Sequence, residues 1–80
     1  MYRILVADDE GIMLEAFKSV ISSTFGDSCI TETAKTGRAV TEKAETFHPD
    51  IVFMDIHMPG INGIQAMREI RKFNTTALFM

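Results

Sequence analysis

Two stretches of the chain, Ile4-Leu5-Val6-Ala7 and Ile51-Val52-Phe53-Met54, are unbroken apolar runs, and each ends on a carboxylate, Asp8 in one case and Asp55 in the other. A strand with one wet face would alternate apolar and polar residues. An unbroken run of this length instead predicts a strand covered on both faces, as in a parallel sheet. Between the two runs the period changes. Met13, Phe17, Val20 and Ile21 follow helical spacing, and Gly26 stands where a helix would stop. Cys29 to Ala34 is rich in β-branched residues and predicts a second strand. Arg38 to Phe47 then places Ala39, Val40, Ala44 and Phe47 on a helical repeat, which Pro49 prevents from continuing.

After Asp55, the segment His57-Met58-Pro59-Gly60-Ile61-Asn62-Gly63 reads as a loop from its proline and glycines. Asn62 is suited to cap a helix whose apolar stripe would be Ile64, Met67, Ile70 and Phe73. A last apolar run from Ala77 to Met80 predicts a fourth strand. Strand and helix patterns that alternate through short connections predict an α/β domain of right-handed βαβ units, with no internal repeat and no domain boundary. In open sheets of this kind ligands bind beyond the carboxyl ends of the strands, near the point where strand order reverses. The acids after strands one and three belong to that edge.

Composition narrows the possible functions. Eighty residues suffice for one domain, and 46% hydrophobic with 24% charged residues describes a globular chain. A domain of this size buries only somewhat more than about 60% of the surface its unfolded chain exposes, so stability is expected to be marginal. A net charge of −3 and a pI near 5.2 offer no electrostatic footprint for DNA or RNA, so any nucleic-acid contact would come from a segment outside these residues. The lone Cys29 has no intramolecular partner, the N-terminus lacks the apolar core of a signal peptide, and no apolar run approaches the roughly 20 residues that span a bilayer. These features predict a cytoplasmic protein with no membrane role.

If strands one and three are neighbours, in a 2-1-3-4 order, their ends lie about 4.8 Å apart and Asp8, Asp9 and Asp55 converge. Two carboxylates about 5 Å apart repel by roughly 3 kcal/mol at an effective dielectric near 20, so a proton or a cation must relieve them. Hard oxygen ligands with open coordination positions suit Mg²⁺, which keeps water and phosphate oxygens in its shell. A carboxylate beside such a cation can attack phosphorus, because the metal offsets charge on the transferring oxygens and aligns donor with acceptor. Asp55 is the expected nucleophile, and the adjacent pair Asp8-Asp9 the expected metal holders. Either acidic group alone would read as residues solvating a strand end. Both together, after matching apolar runs, point to a site.

These residues resemble a family. Ile4-Leu5-Val6-Ala7-Asp8-Asp9-Glu10, Pro49-Asp50-Ile51-Val52-Phe53-Met54-Asp55, Met58-Pro59 and Gly63 are similar to the receiver domains of two-component response regulators. The resemblance runs the length of the chain and implies a flavodoxin-like doubly wound parallel sheet. The chain would be the N-terminal two thirds of such a domain, ending within strand four and lacking strand five and the last two helices. By the same resemblance Asp55 accepts phosphate from the phosphohistidine of a sensor kinase, Asp9 and Asp55 ligate Mg²⁺ directly, and Asp8 acts through water. His57 would offer its backbone carbonyl to the metal, with Met58, Pro59 and Gly63 shaping the loop that holds it. Asn62 stands where many relatives have Asp. Two functional residues of the family, a Ser or Thr after strand four and a Lys ending strand five, have no counterpart here. Without a fifth strand, the edge of strand four invites pairing with a second copy.

The resemblance therefore implies a phosphorylation-controlled switch that catalyses its own phosphorylation and dephosphorylation but no other turnover. The pattern around strand three is similar to that of regulators with a DNA-binding output module, which implies transcription control. Two other classes compete: a non-switching interaction module, and a phosphatase of the haloacid dehalogenase type. The latter group carries Asp-x-Asp after the first strand, whereas here Asp55-Ile56-His57 follows the third. No phosphate-cradling GxxxxGK or dinucleotide GxGxxG motif is present. The remaining residues have structural readings. Cys29 is expected as a small buried strand residue, His48 as a helix end, Met13, Met54 and Met67 as core or core-edge packing, and Lys18, Lys35, Arg38, Lys43 and Lys72 as solvated charge.

Overall fold

β1, Tyr2–Ala7, is the strand on which the sheet assembles. On one side it pairs in parallel with β2, Cys29–Ala34, over its whole length, from Tyr2 opposite Cys29 to Ala7 opposite Ala34. On the other it pairs with β3, Ile51–Met54, from Ile4 opposite Ile51 to Ala7 opposite Met54. β4, Leu78–Phe79, adds to the far side of β3. The computed structural model describes residues 1–55 and 62–79, and within them the sheet is parallel throughout with the order 2-1-3-4 expected from the sequence.

The unbroken apolar run of β1 has the predicted cause. Ile4, Leu5, Val6 and Ala7 are all buried, and the two-residue period of the strand sends them alternately to two different cores. Leu5 and Ala7 pack with Ala34, Val40, Ala44, Val52 and Ile70 beneath helices α2, Gly37–Phe47, and α3, Gly63–Arg71. Ile4 and Val6 pack with Leu14 and Ile21 of helix α1, Gly11–Phe25, on the opposite face. Phe17 of α1 meets Phe53 of β3 with ring centroids 4.8 Å apart at a tilted angle, a favourable arrangement for two aromatic quadrupoles.

Local signals set most of the boundaries. Gly26 ends α1 in a positive-φ conformation and donates its backbone N–H to the Ser22 carbonyl. The Thr36 hydroxyl caps α2 by accepting from the Ala39 amide at 3.1 Å. Asn62 and Gln65 form a reciprocal capping box at the start of α3. α2 stops at Phe47, His48 turns left-handed, and buried Pro49 leads into β3. Asp50 and Arg3 exchange backbone and carboxylate bonds at the entry edge of the sheet, with the Arg3 amide donating to Asp50 Oδ2 at 2.8 Å. The Asn74 side chain shapes the turn into β4: its amide donates to the Pro49 carbonyl, and its oxygen accepts from the Thr76 and Ala77 amides. The Arg71 guanidinium lies 4.7 Å from the Phe79 ring centroid and joins α3 to that strand.

Two helix faces differ from the expected ones. α1 turns Leu14, Phe17 and Ile21 inward, whereas Met13 is 49% and Val20 64% exposed, so Met13 is not core packing. In α3 the buried residues are Gly63, Ala66 and Ile70, with Met67 half-buried, while Ile64 and Phe73 are exposed. Both stripes are rotated by about one residue. Small residues allow a helix to approach the sheet closely, and side-chain size alone misses that preference. Cys29 is half-buried at the margin of the α1 core. Among the described residues one helix lies on that face, and an apolar groove of about 520 Å³ remains beside α1, bordered by Tyr2, Ile4, Phe17, Val20, Phe25 and Phe53. Among the described residues no helix is long and apolar enough to cross a membrane.

Leu5 and Met13 make opposite predictions that chemical denaturation can read. Leu5→Ala, at a fully buried position, should cost about 2–5 kcal/mol of unfolding free energy. Met13→Ala should stay within about 0.5 kcal/mol.

Candidate functional site

At the carboxyl edge of the sheet the backbone ladder continues one residue past β1 and β3. The Asp8 amide donates to the Ala34 carbonyl at 3.1 Å, and the Asp55 amide donates to the Ala7 carbonyl at 3.0 Å. Both residues therefore leave the sheet from fixed positions on adjacent strands. The chain then turns from Asp8 through Asp9 into α1, and the Glu10 amide donates to Asp8 Oδ1 at 3.0 Å, which orients that carboxylate. Asp8 and Asp55 are half-buried and Asp9 is exposed. One carboxylate oxygen from each of Asp8, Asp9 and Asp55 can be chosen so that all three lie within 4.8 Å of one another.

Three acids, each with a hard oxygen donor, fit a divalent cation of the Mg²⁺ type better than a soft metal, since no thiolate joins the group. A cation there would leave positions for water or an incoming anion. At the dielectric of water, charges at this spacing repel by about 1 kcal/mol per pair, and by several times that at an effective dielectric near 20. Of the residues singled out in the sequence, the structure brings together Asp8, Asp9 and Asp55. Gly63 sits at the first position of α3, buried, next to its cap Asn62. His57, Met58 and Pro59 lie outside the described residues.

One residue near this edge was read from sequence only as solvated charge. Lys35 follows Ala34 directly, and its Nζ lies 3.4 Å from the point where a Cβ on Gly11 would stand. The available signal was its place immediately after a strand that ends at the same edge as the acids.

A parallel α/β sheet with a carboxylate cluster at the switch point between two crossovers defines a phosphate- or metal-handling domain in the broad sense. The chain matches the response regulator receiver domain over residues 4–80 and belongs to that family. It is 39% identical over 75 residues to the chemotaxis protein CheY of Thermotoga maritima, covering 94% of this chain and 61% of that one. It is 40% identical over 78 residues to a protein-glutamate methylesterase/protein-glutamine glutaminase of the same organism, covering 98% of this chain. It spans only 22% of that relative's length. The response regulator TrrA of Thermotoga maritima, solved in complex with Mg(2+)-BeF, superimposes with a TM-score of 0.86 at 35% identity, over 99% of this chain and 66% of that one. TrrA has also been solved in complex with the histidine kinase ThkA. The chain is thus a receiver domain of the two-component type, a family of signalling phosphoacceptors.

The charge cluster makes a prediction that needs no phosphate. In chelator, Asp9→Asn should raise stability by about 1 kcal/mol, because its repulsions with Asp8 and Asp55 are both removed and Asp9 is solvent-screened. In Mg²⁺ the parent should gain thermal stability, and the variant should gain less. Differential scanning fluorimetry with and without the metal checks both signs.

Proposed function

We propose that Asp55 is the phosphoacceptor of this chain and that it works with Mg²⁺ held by Asp8, Asp9 and Asp55. The observation that carries the reading is the convergence of three carboxylates from the ends of two adjacent strands. An Asp55 oxygen attacks phosphorus in line, the oxygen–phosphorus bond forms as the phosphorus–nitrogen bond of a phosphohistidine breaks, and the departing imidazole keeps the electron pair and takes up a proton. Bound Mg²⁺ would offset charge on the transferring oxygens. Asp8, oriented by the Glu10 amide, would hold the metal through water, Asp9 would hold it directly with Asp55, and His57 would offer its backbone carbonyl. Met58, Pro59 and Gly63 would shape the connection that presents that carbonyl. Support for the metal comes from the all-oxygen donor set and from the relative solved with Mg(2+)-BeF.

The partner in this reading is a sensor histidine kinase, as in the ThkA–TrrA complex. Residues 1–80 would be the N-terminal two thirds of a receiver domain; the match spans 57% of the solved CheB response regulator domain and 66% of TrrA, both of Thermotoga maritima. The output would be a DNA-binding module outside these residues, controlling transcription, and the site would act in the cytoplasm as a switch rather than a turnover enzyme. β4 is the edge of the described sheet, with Leu78 61% exposed, which favours pairing with a second copy.

Intact mass after incubation with Mg²⁺ and acetyl phosphate tests the central assignment. The parent chain should gain one phosphoryl increment, and Asp55→Asn should gain none. An unmodified parent would favour a receiver-like interaction module that does not switch. Size-exclusion chromatography tests the edge: the apparent mass should rise with concentration, and a monomer unchanged across a dilution series would refute self-association.

A further inference from the structure

We propose that Lys35 is a positioning cation at the mouth of the carboxylate cluster, drawing an anionic phosphoryl donor toward Asp55 while weakening the cluster's hold on Mg²⁺. The proposal rests on the reading of Asp55 as phosphoacceptor. The Asp8 amide donates to the Ala34 carbonyl, which sets the Lys35 backbone beside the acidic edge. From there the side chain reaches toward the start of α1: Nζ and Cε lie 3.4 and 3.8 Å from the position of a Cβ on Gly11, the first residue of that helix and two residues beyond Asp9.

A helix N-terminus carries roughly half a positive charge, so it does not attract an ammonium group. The first turn of α1 contains no acidic residue to reverse that sign. The negative charge on this side of the fold belongs to Asp8, Asp9 and Glu10, which immediately precede the helix. Among the described residues Lys35 is in neither of the two salt bridges, Lys43 with Glu32 and Lys72 with Glu69. It is therefore an exposed cation with no salt-bridge partner among the described residues, at the same sheet edge as the acids that would receive a metal and a phosphoryl anion. Its field acts on those two ligands with opposite signs. It repels Mg²⁺ and attracts the donor, and because the site is near solvent both effects are moderate and fall with added salt.

Calorimetric titration of Mg²⁺, and the concentration of acetyl phosphate giving half-maximal modification rate at saturating Mg²⁺, separate the two effects in Lys35→Gln, Lys35→Glu and Lys35→Arg. Lys35→Gln should bind Mg²⁺ about two- to fivefold more tightly and require about two- to fivefold more acetyl phosphate. Lys35→Glu should move further in both directions, and Lys35→Arg should match the parent. High salt should shrink the differences. Unchanged constants in Lys35→Gln and Lys35→Glu, or constants that both worsen, would overturn the role of Lys35, the second pattern being that of a local structural defect. If the parent itself neither bound Mg²⁺ nor took phosphate, the reading of Asp55 would fall and this proposal with it.

Discussion

The hydrogen-bond ladder on either side of β1 holds the sheet together and also places the acids. Ile4, Leu5, Val6 and Ala7 are buried on both faces of the sheet, so their amides and carbonyls cannot turn to water and must be matched by β2 and β3. The same demand carries the ladder beyond the strands. The bonds from Asp8 to Ala34 and from Asp55 to Ala7 are its last rungs, and they hold the two acids on neighbouring strands at one edge. A slip of one residue in register would exchange the two cores and separate the carboxylates together.

Convergence of like charge has a cost, and the fold bears it where solvent can help. Asp9 is exposed, Asp8 is half-buried and receives the Glu10 amide, and the cluster opens away from the apolar cores. In the reading proposed for this site, an open edge would let a cation and then an anion approach the acids from solvent. Lys35 fits the same economy, as a charge held near the site but not paired with it.

The two faces of the sheet are unequally covered. α2 and α3 together close the core of Leu5, Val40, Val52 and Ile70, whereas among the described residues α1 is the helix that lies over Ile4 and Val6. Phe17 against Phe53 anchors α1, and a groove stays open beside it. The functional edge depends on β1, β2 and β3, which pack between both cores, so unequal cover leaves the acids in place.

Fold class and the acids at the strand ends were legible in the sequence because each rests on a local rule, whereas the 2-1-3-4 order followed only from the resemblance. Unbroken apolar runs mark strands buried on both faces, proline and glycine mark their ends, and a carboxylate after such a run has nowhere to go but the sheet edge. The limits of β2 and β3 follow from these signals, as does the Asn62 cap. The inward faces of α1 and α3 did not, since Met13 and Ile64 look more like core than Ala66 does, and only the spacing between helix and sheet selects the small residue. Lys35 was equally silent, an ordinary surface lysine in the sequence. Its position depends on β2 ending beside Asp8 and on α1 beginning within its reach, and those are contacts between segments far apart in the chain. Local chemistry determined which residues could form a site, and tertiary packing decided which of them share one.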